Sequence, residues 1–455
     1  MLLNNKKFRY YYWIVLEFTK KNAKLILLSF LLSIVTIIST ITLSPYLVSF
    51  VTAQKDVVGI VGSYTYNNLP EEVLSKISNG LVFVDDKGDI IPVLAEHWEL
   101  KNSGKEYTFT LKKNIFWNDG RPLLAKDIKY NFKDVEITTT GDRQIHFKLQ
   151  KRLPVFATYL TTPIIRSPLI GIAGLYKVDR TKTQYGQIKE LYLTPNKQNV
   201  KFLVYKFYDN EAKMINAYKL GEITQMVIYK KSIADTFKGW KNTEITKSVD
   251  YSRLLTLFYN QKTNTILKEK DVRQALAMSV DRVQFEEEGQ NADSPIPPIS
   301  WAYNPDLKKI QYDTELSSKI LRKYNEGTRS ATLNLDTYYD YLDTAEDIKT
   351  SMEKTGIKIK INTLSLQQPS DYDMLLAYWK VPLDPDQYYF WHSTQVNGNI
   401  TGLKNVKIDK LLEDGRDTSN ITDRKRIYYN FQRIMQDEIP AYFLYYPHIY
   451  TVKRK

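Results

Sequence analysis

From Leu25 to Leu43 the chain runs LILLSFLLSIVTIISTITL, nineteen residues without a charge. A helix rises 1.5 Å per residue, so about 20 such residues cross the ~30 Å hydrocarbon layer of a bilayer. The apolar character continues past Pro45 through Tyr46, Leu47, Val48, Phe50 and Val51. Lys6, Lys7, Arg9, Lys20, Lys21 and Lys24 all precede the run, against Glu17 alone. The positive-inside rule then puts the amino terminus in the cytoplasm and the large remainder outside. Phe8, Tyr10, Tyr11, Tyr12 and Trp13 suit the headgroup level beside those cations. The expected division is a basic cytoplasmic tail over 1–24 and a membrane anchor over 25–53. A cleaved signal peptide is the rival reading, since Val51-Thr52-Ala53 resembles a small-residue cleavage site. The apolar core exceeds the usual signal length, which favours a retained, single-pass helix.

The chain has no cysteine, so disulfides, thiolate chemistry and a lipidated amino-terminal cysteine are excluded. A retained helix is therefore the available tether. Four histidines, with no paired spacing, argue against a catalytic zinc site, and no metal is expected. No GxSxG, HExxH or P-loop motif occurs, which argues against a hydrolase and leaves no catalytic residue or cofactor to assign. The net charge of +13 is unevenly spread, with +5 in the first 24 residues and +8 over the rest, and forms no dense basic stripe, so no nucleic-acid partner is expected. Tyrosine is abundant, 34 against 18 Phe, and its amphipathic ring suits ligand clefts as well as half-buried surfaces.

Beyond Gln54, short strands alternate with amphipathic helices. Val57–Val61 reads as a buried strand, and Tyr107, Phe109 and Leu111 alternate as a half-buried one ending before the Trp117–Gly120 turn. Ala331–Leu335, a helix capped by Thr344, the terminator Gly356 and alternating Ile357, Ile359 and Ile361 make a β-α-β unit. Asp271 and Asp423 are read as the caps of two further helices. This order predicts an α/β protein with mostly parallel sheets.

Several blocks carry a resemblance. Gly80-Leu81 through Pro92-Val93-Leu94-Ala95-Glu96-His97-Trp98, then Tyr107–Leu111, Trp117-Asn118-Asp119-Gly120-Arg121-Pro122-Leu123 and Ala125–Ile128 follow one pattern. Gly174–Val178, Leu220–Ile223, Asp271–Ala277 with Asp281-Arg282, Tyr372-Asp373-Met374, Trp379, Asp384-Pro385-Asp386, Trp391 and Asp423 to Pro440 continue it in order. Colinear over about 57–452, they resemble the peptide/nickel-type (family 5) extracellular solute-binding proteins of bacterial ABC importers. That resemblance implies a two-lobed, periplasmic-binding-protein-like fold of type II with a small inserted subdomain. Lobe I is expected over 54–255 with the subdomain near 93–150, lobe II over 256–434, and a return into lobe I over 435–455. It also implies capture of peptides or similar small solutes between closing lobes, delivery to ABC permease subunits with their ATPases, and no chemistry on the solute.

Site candidates follow from the same resemblance. In peptide-binding relatives an acidic residue in the loop after the strand of Trp379 pairs with the substrate's α-amino group, which points to Asp384 and Asp386. Aromatic walls would come from Trp379, Tyr378 and Trp391, and Tyr259-Asn260 resembles a further cleft strand. The loop is shorter here than in relatives, and an Asp-Pro turn with solvated carboxylates is the competing reading of Asp384. The alternative to import is a membrane-anchored peptide receptor, sensor or chaperone-like scaffold of the same fold.

Overall fold

The computed structural model describes residues 5–52, 55–325, 332–365 and 372–455; Ala53 of the candidate cleavage site and Ala331 lie outside them. Helix α1 (Asn5–Lys21) is followed by α2 (Ala23–Thr52). The stretch Ala23–Thr42 is long and apolar enough to cross a membrane, and its side chains are not buried against the rest of the chain. Several of its hydroxyls bond within the helix: Ser33, Thr36 and Thr40 each donate to a carbonyl one turn earlier, which suits a helix in a nonpolar solvent.

The rest is a mixed α/β body built on one twelve-stranded sheet. Strand β1 (Lys55–Val61) leads to α3 (Glu71–Ile77) and the short hairpin β2 (Val82–Val84) and β3 (Ile90–Pro92). A separate antiparallel sheet follows, β4 (Ala95–Lys101), β5 (Glu106–Leu111), β6 (Val135–Thr140) and β7 (Gln144–Leu149), in the order β4-β5-β7-β6. The chain returns to the large sheet with β8 (Tyr176–Gln184), β9 (Gln187–Pro195), β10 (Phe202–Tyr208), α4 (Glu211–Leu220), β11 (Gln225–Ile228), α5 (Lys231–Asp235) and β12 (Thr243–Val249). Both β10 and β11 run parallel to β1.

A turn at 250–252 opens the second half: β13 (Arg253–Tyr259), α6 (Lys270–Met278), β14 (Gly289–Asn291), α7 (Thr314–Asn325), β15 (Thr332–Tyr338), α8 (Leu342–Glu353), β16 (Lys358–Leu364) and β17 (Met374–Lys380). Three helices, α9 (Tyr388–Trp391), α10 (Val406–Asp417) and α11 (Ile421–Glu438), precede the last strand β18 (Ala441–Arg454). The expected β-α-β unit is present as β15-α8-β16, with β15 parallel to both β16 and β17.

Strand β18 serves both halves. Ala441–Tyr445 pair with β13, and His448 onward pair with β12. Within β18, then, 441–445 pair with a strand of the second half and 448–454 with one of the first. Residues 441–446 are buried on both faces: Phe443 and Tyr446 pack with Trp391 and Phe431, and Tyr442 and Leu444 pack with Leu257 and Leu376.

Three caps also differ from the sequence reading. Helix α6 starts at Lys270 after Glu269, α8 starts at Leu342 after a tight turn over Tyr339–Tyr341, and α11 is capped by Asn420, whose side chain accepts from the Asp423 amide. Asp271 and Asp423 lie inside the first turn, where a carboxylate still complements the helix dipole.

Candidate functional site

In open α/β sheets, ligands sit outside the carboxyl ends of parallel strands. Here those ends carry tyrosines from both halves of the sheet. Tyr64 follows β1, Tyr229 follows β11, Tyr338 ends β15, Tyr341 closes the turn before α8, and Tyr378 lies near the end of β17. The Tyr341 and Tyr378 rings meet edge to face at 5.0 Å, and Tyr378 meets Tyr445 at 6.4 Å.

Arg253, the first residue of β13, sits among them. Its guanidinium carbon lies 5.0 Å from the ring centre of Tyr229 and 4.6 Å from that of Tyr378, so one cation is flanked by rings from both halves. Burial works against its charge, but the phenols of Tyr229, Tyr341 and Tyr378 outweigh it and hold the guanidinium protonated. Tyr378 is pushed far up, by burial first and by Tyr445 next, so it stays a neutral phenol. Beside Tyr64, Glu72 of α3 is an exposed residue whose carboxyl is raised by desolvation first and by Asp250 next. The strand ends thus offer aromatic faces, the Arg253 cation and an acidic side.

Tyr378 is the one sequence candidate that the structure brings to these strand ends. Successive strand residues face opposite sides of a sheet, and Trp379 accordingly turns away, its Nε1 donating to Thr256 at 3.2 Å and its ring meeting Phe390 at 4.7 Å. Trp391, Tyr259 and Asn260 are interior residues. Trp391 donates to Gln387, Tyr259 is fully buried, and Asn260 donates to the Tyr372 carbonyl at 2.7 Å.

Asp384 and Asp386 meet cations of their own chain. Arg424 donates to both Asp384 oxygens, at 2.7 and 3.1 Å, and Arg416 donates to Asp386 at 2.7 Å while lying over the Tyr388 ring. Asp386 also accepts from the Tyr159 hydroxyl, on the turn after the small sheet. The two carboxylates thus bolt the 381–388 loop to α10, α11 and the first half of the chain. Further bolts are Arg152–Asp417 at 2.8 Å and Lys380–Glu71 at 2.9 Å.

Sequence reasoning missed Arg253, Tyr229, Tyr341 and Glu72. The available signal was positional: the tyrosines of Tyr338-Tyr339-Asp340-Tyr341 stand directly after a strand of a β-α-β unit.

Residues 89–136 and 133–400 match the family model described as bacterial extracellular solute-binding proteins, family 5 middle. The oligopeptide-binding protein AppA of Bacillus subtilis (strain 168) is 22% identical, over 86% of this chain and 86% of its own length. The probable D,D-dipeptide-binding periplasmic protein DdpA of Escherichia coli (strain K12) is 25% identical, over 79% of this chain and 80% of its own. Among solved structures, AppA from Bacillus subtilis in complex with a nonapeptide superposes with a TM-score of 0.69 at 21% identity, covering 88% of this chain and 94% of that one. The two folds are therefore alike.

Proposed function

Because the chain belongs to family 5 of the bacterial extracellular solute-binding proteins, we propose that it captures short peptides outside the cell between two closing lobes and hands them to an ABC permease. Lobe I comprises 55–249 with 448–455, and lobe II comprises 253–446. Two strand paths cross side by side between them, at the 250–252 turn and at Pro447 within β18, where the Asp250 amide donates to the Pro447 carbonyl at 2.9 Å. Two adjacent crossings permit rotation about one axis while leaving each core intact. The observation that carries the reading is the groove at the strand ends, where Tyr229 from lobe I and Tyr378 from lobe II flank the same arginine across the hinge.

Peptides are favoured over other solutes by the names of the relatives, which include an oligopeptide-binding and a D,D-dipeptide-binding protein, and by the groove's neutral aromatic walls beside separate charges. The protein performs no reaction on its solute in this reading. Helix α2 is the retained anchor, with the cation-rich α1 on the cytoplasmic side.

Native mass spectrometry of the full chain, purified from its host in detergent without refolding, tests both parts. The expected result is a chain retaining residues 1–54 and carrying a ladder of short peptide masses. A single sugar or metal complex would overturn the peptide reading, and a mature chain beginning near Gln54 would overturn the anchor.

A further inference from the structure

Among the described residues five arginines of lobe II are buried or half-buried, and four have evident work. Arg416 pairs with Asp386. Arg282 pairs with Asp293, and Arg424 pairs with Asp384. Arg273 donates to the carbonyls of Leu267, Lys268, Glu438 and Ile439, which ties the end of α11 to the core. Arg253 differs. Its neighbours are the phenols of Tyr229, Tyr341 and Tyr378, and among the described residues no carboxylate pairs with it.

A guanidinium carries five N–H donors in a planar fork, and phenols supply partial charge without neutralising it. A half-desolvated cation of this kind gains most from an anion that arrives with the ligand. The site is also reachable, because the flanking Tyr229 ring is 44% exposed.

We propose that Arg253 seats the carboxylate of the ligand, the C-terminal α-carboxylate of a bound short peptide; this rests on the peptide reading above. A carboxylate matches the guanidinium fork with two parallel hydrogen bonds. Tyr229 and Tyr378 then sandwich the fork and limit its rotation, so the bound end is fixed in place at the hinge. Lobe closure brings the Tyr229 side and the Tyr378 side onto the same charge. The anion is thus drawn toward the residue that joins the two lobes, and its arrival favours the closed state.

The test offers the full chain in detergent two tripeptide libraries without Asp or Glu, one with free C-termini and one C-terminally amidated. Capture is read by native mass spectrometry, with titration calorimetry on the best-captured pair. Free-acid peptides should bind roughly tenfold to a hundredfold more tightly than their amides, the span of a charge-assisted hydrogen bond. Arg253→Gln should lower the free-acid affinity to that of the amides and leave the amides unmoved. Equal binding of acid and amide by the unaltered protein overturns the carboxylate seat and leaves peptide capture standing. Capture of neither library overturns both. The acid-to-amide comparison needs no variant, so it decides the matter even where Arg253→Gln fails to fold.

Discussion

Replacing Asp384 by Ala separates a structural role from a ligand role at the one loop where the family resemblance pointed to an amino-group anchor. The Arg424 side chain is 3% exposed and that of Asp384 is 16% exposed. Without the carboxylate, the guanidinium keeps the Gly415 carbonyl at 2.8 Å, the Tyr428 hydroxyl at 3.4 Å, and the rings of Trp301 and Tyr428 nearby. None of these carries a full negative charge. Removing one partner of a buried pair costs about 3–5 kcal/mol, and the partial exposure of Asp384 places this case near about 3 kcal/mol. A loss of that size lowers Tm by roughly 6–12 °C for a unit of 150–250 residues. Thermal melts of the full chain at pH 7, with peptide capture measured well below the melt, give the two readouts. The expected outcome is a large loss of Tm with capture retained. The double change Asp384→Leu with Arg424→Met should recover most of the loss, because a packed apolar pair is close to neutral against a buried ion pair. A Tm change worth less than about 1 kcal/mol, coupled to lost capture, would refute this account and return Asp384 to the ligand.

Glu72 and Gly174 give two further outcomes. Burial, then Asp250, raises the Glu72 carboxyl, so its folded pKa lies above its unfolded value. Its favourable contribution is full below the unfolded pKa and is lost as pH rises through the folded one. Glu72→Gln should therefore raise Tm at pH 7 and leave it nearly unchanged at pH 4, and an equal gain at both values would contradict the assignment. At Gly174 an added Cβ would stand 2.1 Å from the Ile77 carbonyl oxygen at the end of α3, so Gly174→Ala should cost about 3 kcal/mol in urea unfolding. Gly239→Ala, with φ of +85° and open space around it, serves as the control at about 1–2 kcal/mol.

What the sequence made legible and what it hid divide along a physical line. The apolar run, the β15-α8-β16 unit and the family blocks are all local, set by periodicity and by residues close together in the chain. Helix starts were legible only to within a turn, because α6, α8 and α11 begin one or more residues before the acidic or hydroxyl side chain that marks them. For α8 the cause is the tight turn at Tyr339–Tyr341, which starts the spiral before Thr344. The division of β18 between two partners was equally hidden: Ala441–Tyr446 are buried on both faces, with no break in pattern before His448.

The groove lay further out of reach. Arg253, Tyr229 and Tyr378 stand far apart in sequence, and the antiparallel pairings of β13 with β17 and of β18 with both β13 and β11 gather their neighbourhoods. Motif matching led instead to Asp384-Pro385-Asp386, where the residue types fit a ligand anchor, but Arg416 and Arg424 lie 30 and 40 positions away and meet them first. A carboxylate next to an unseen arginine reads the same in sequence as one that waits for a ligand. An arginine without a carboxylate reads like any other basic residue until the fold shows that tyrosines surround it. Charge compensation, rather than residue type, therefore separates the loop that holds this protein together from the groove proposed to hold its solute.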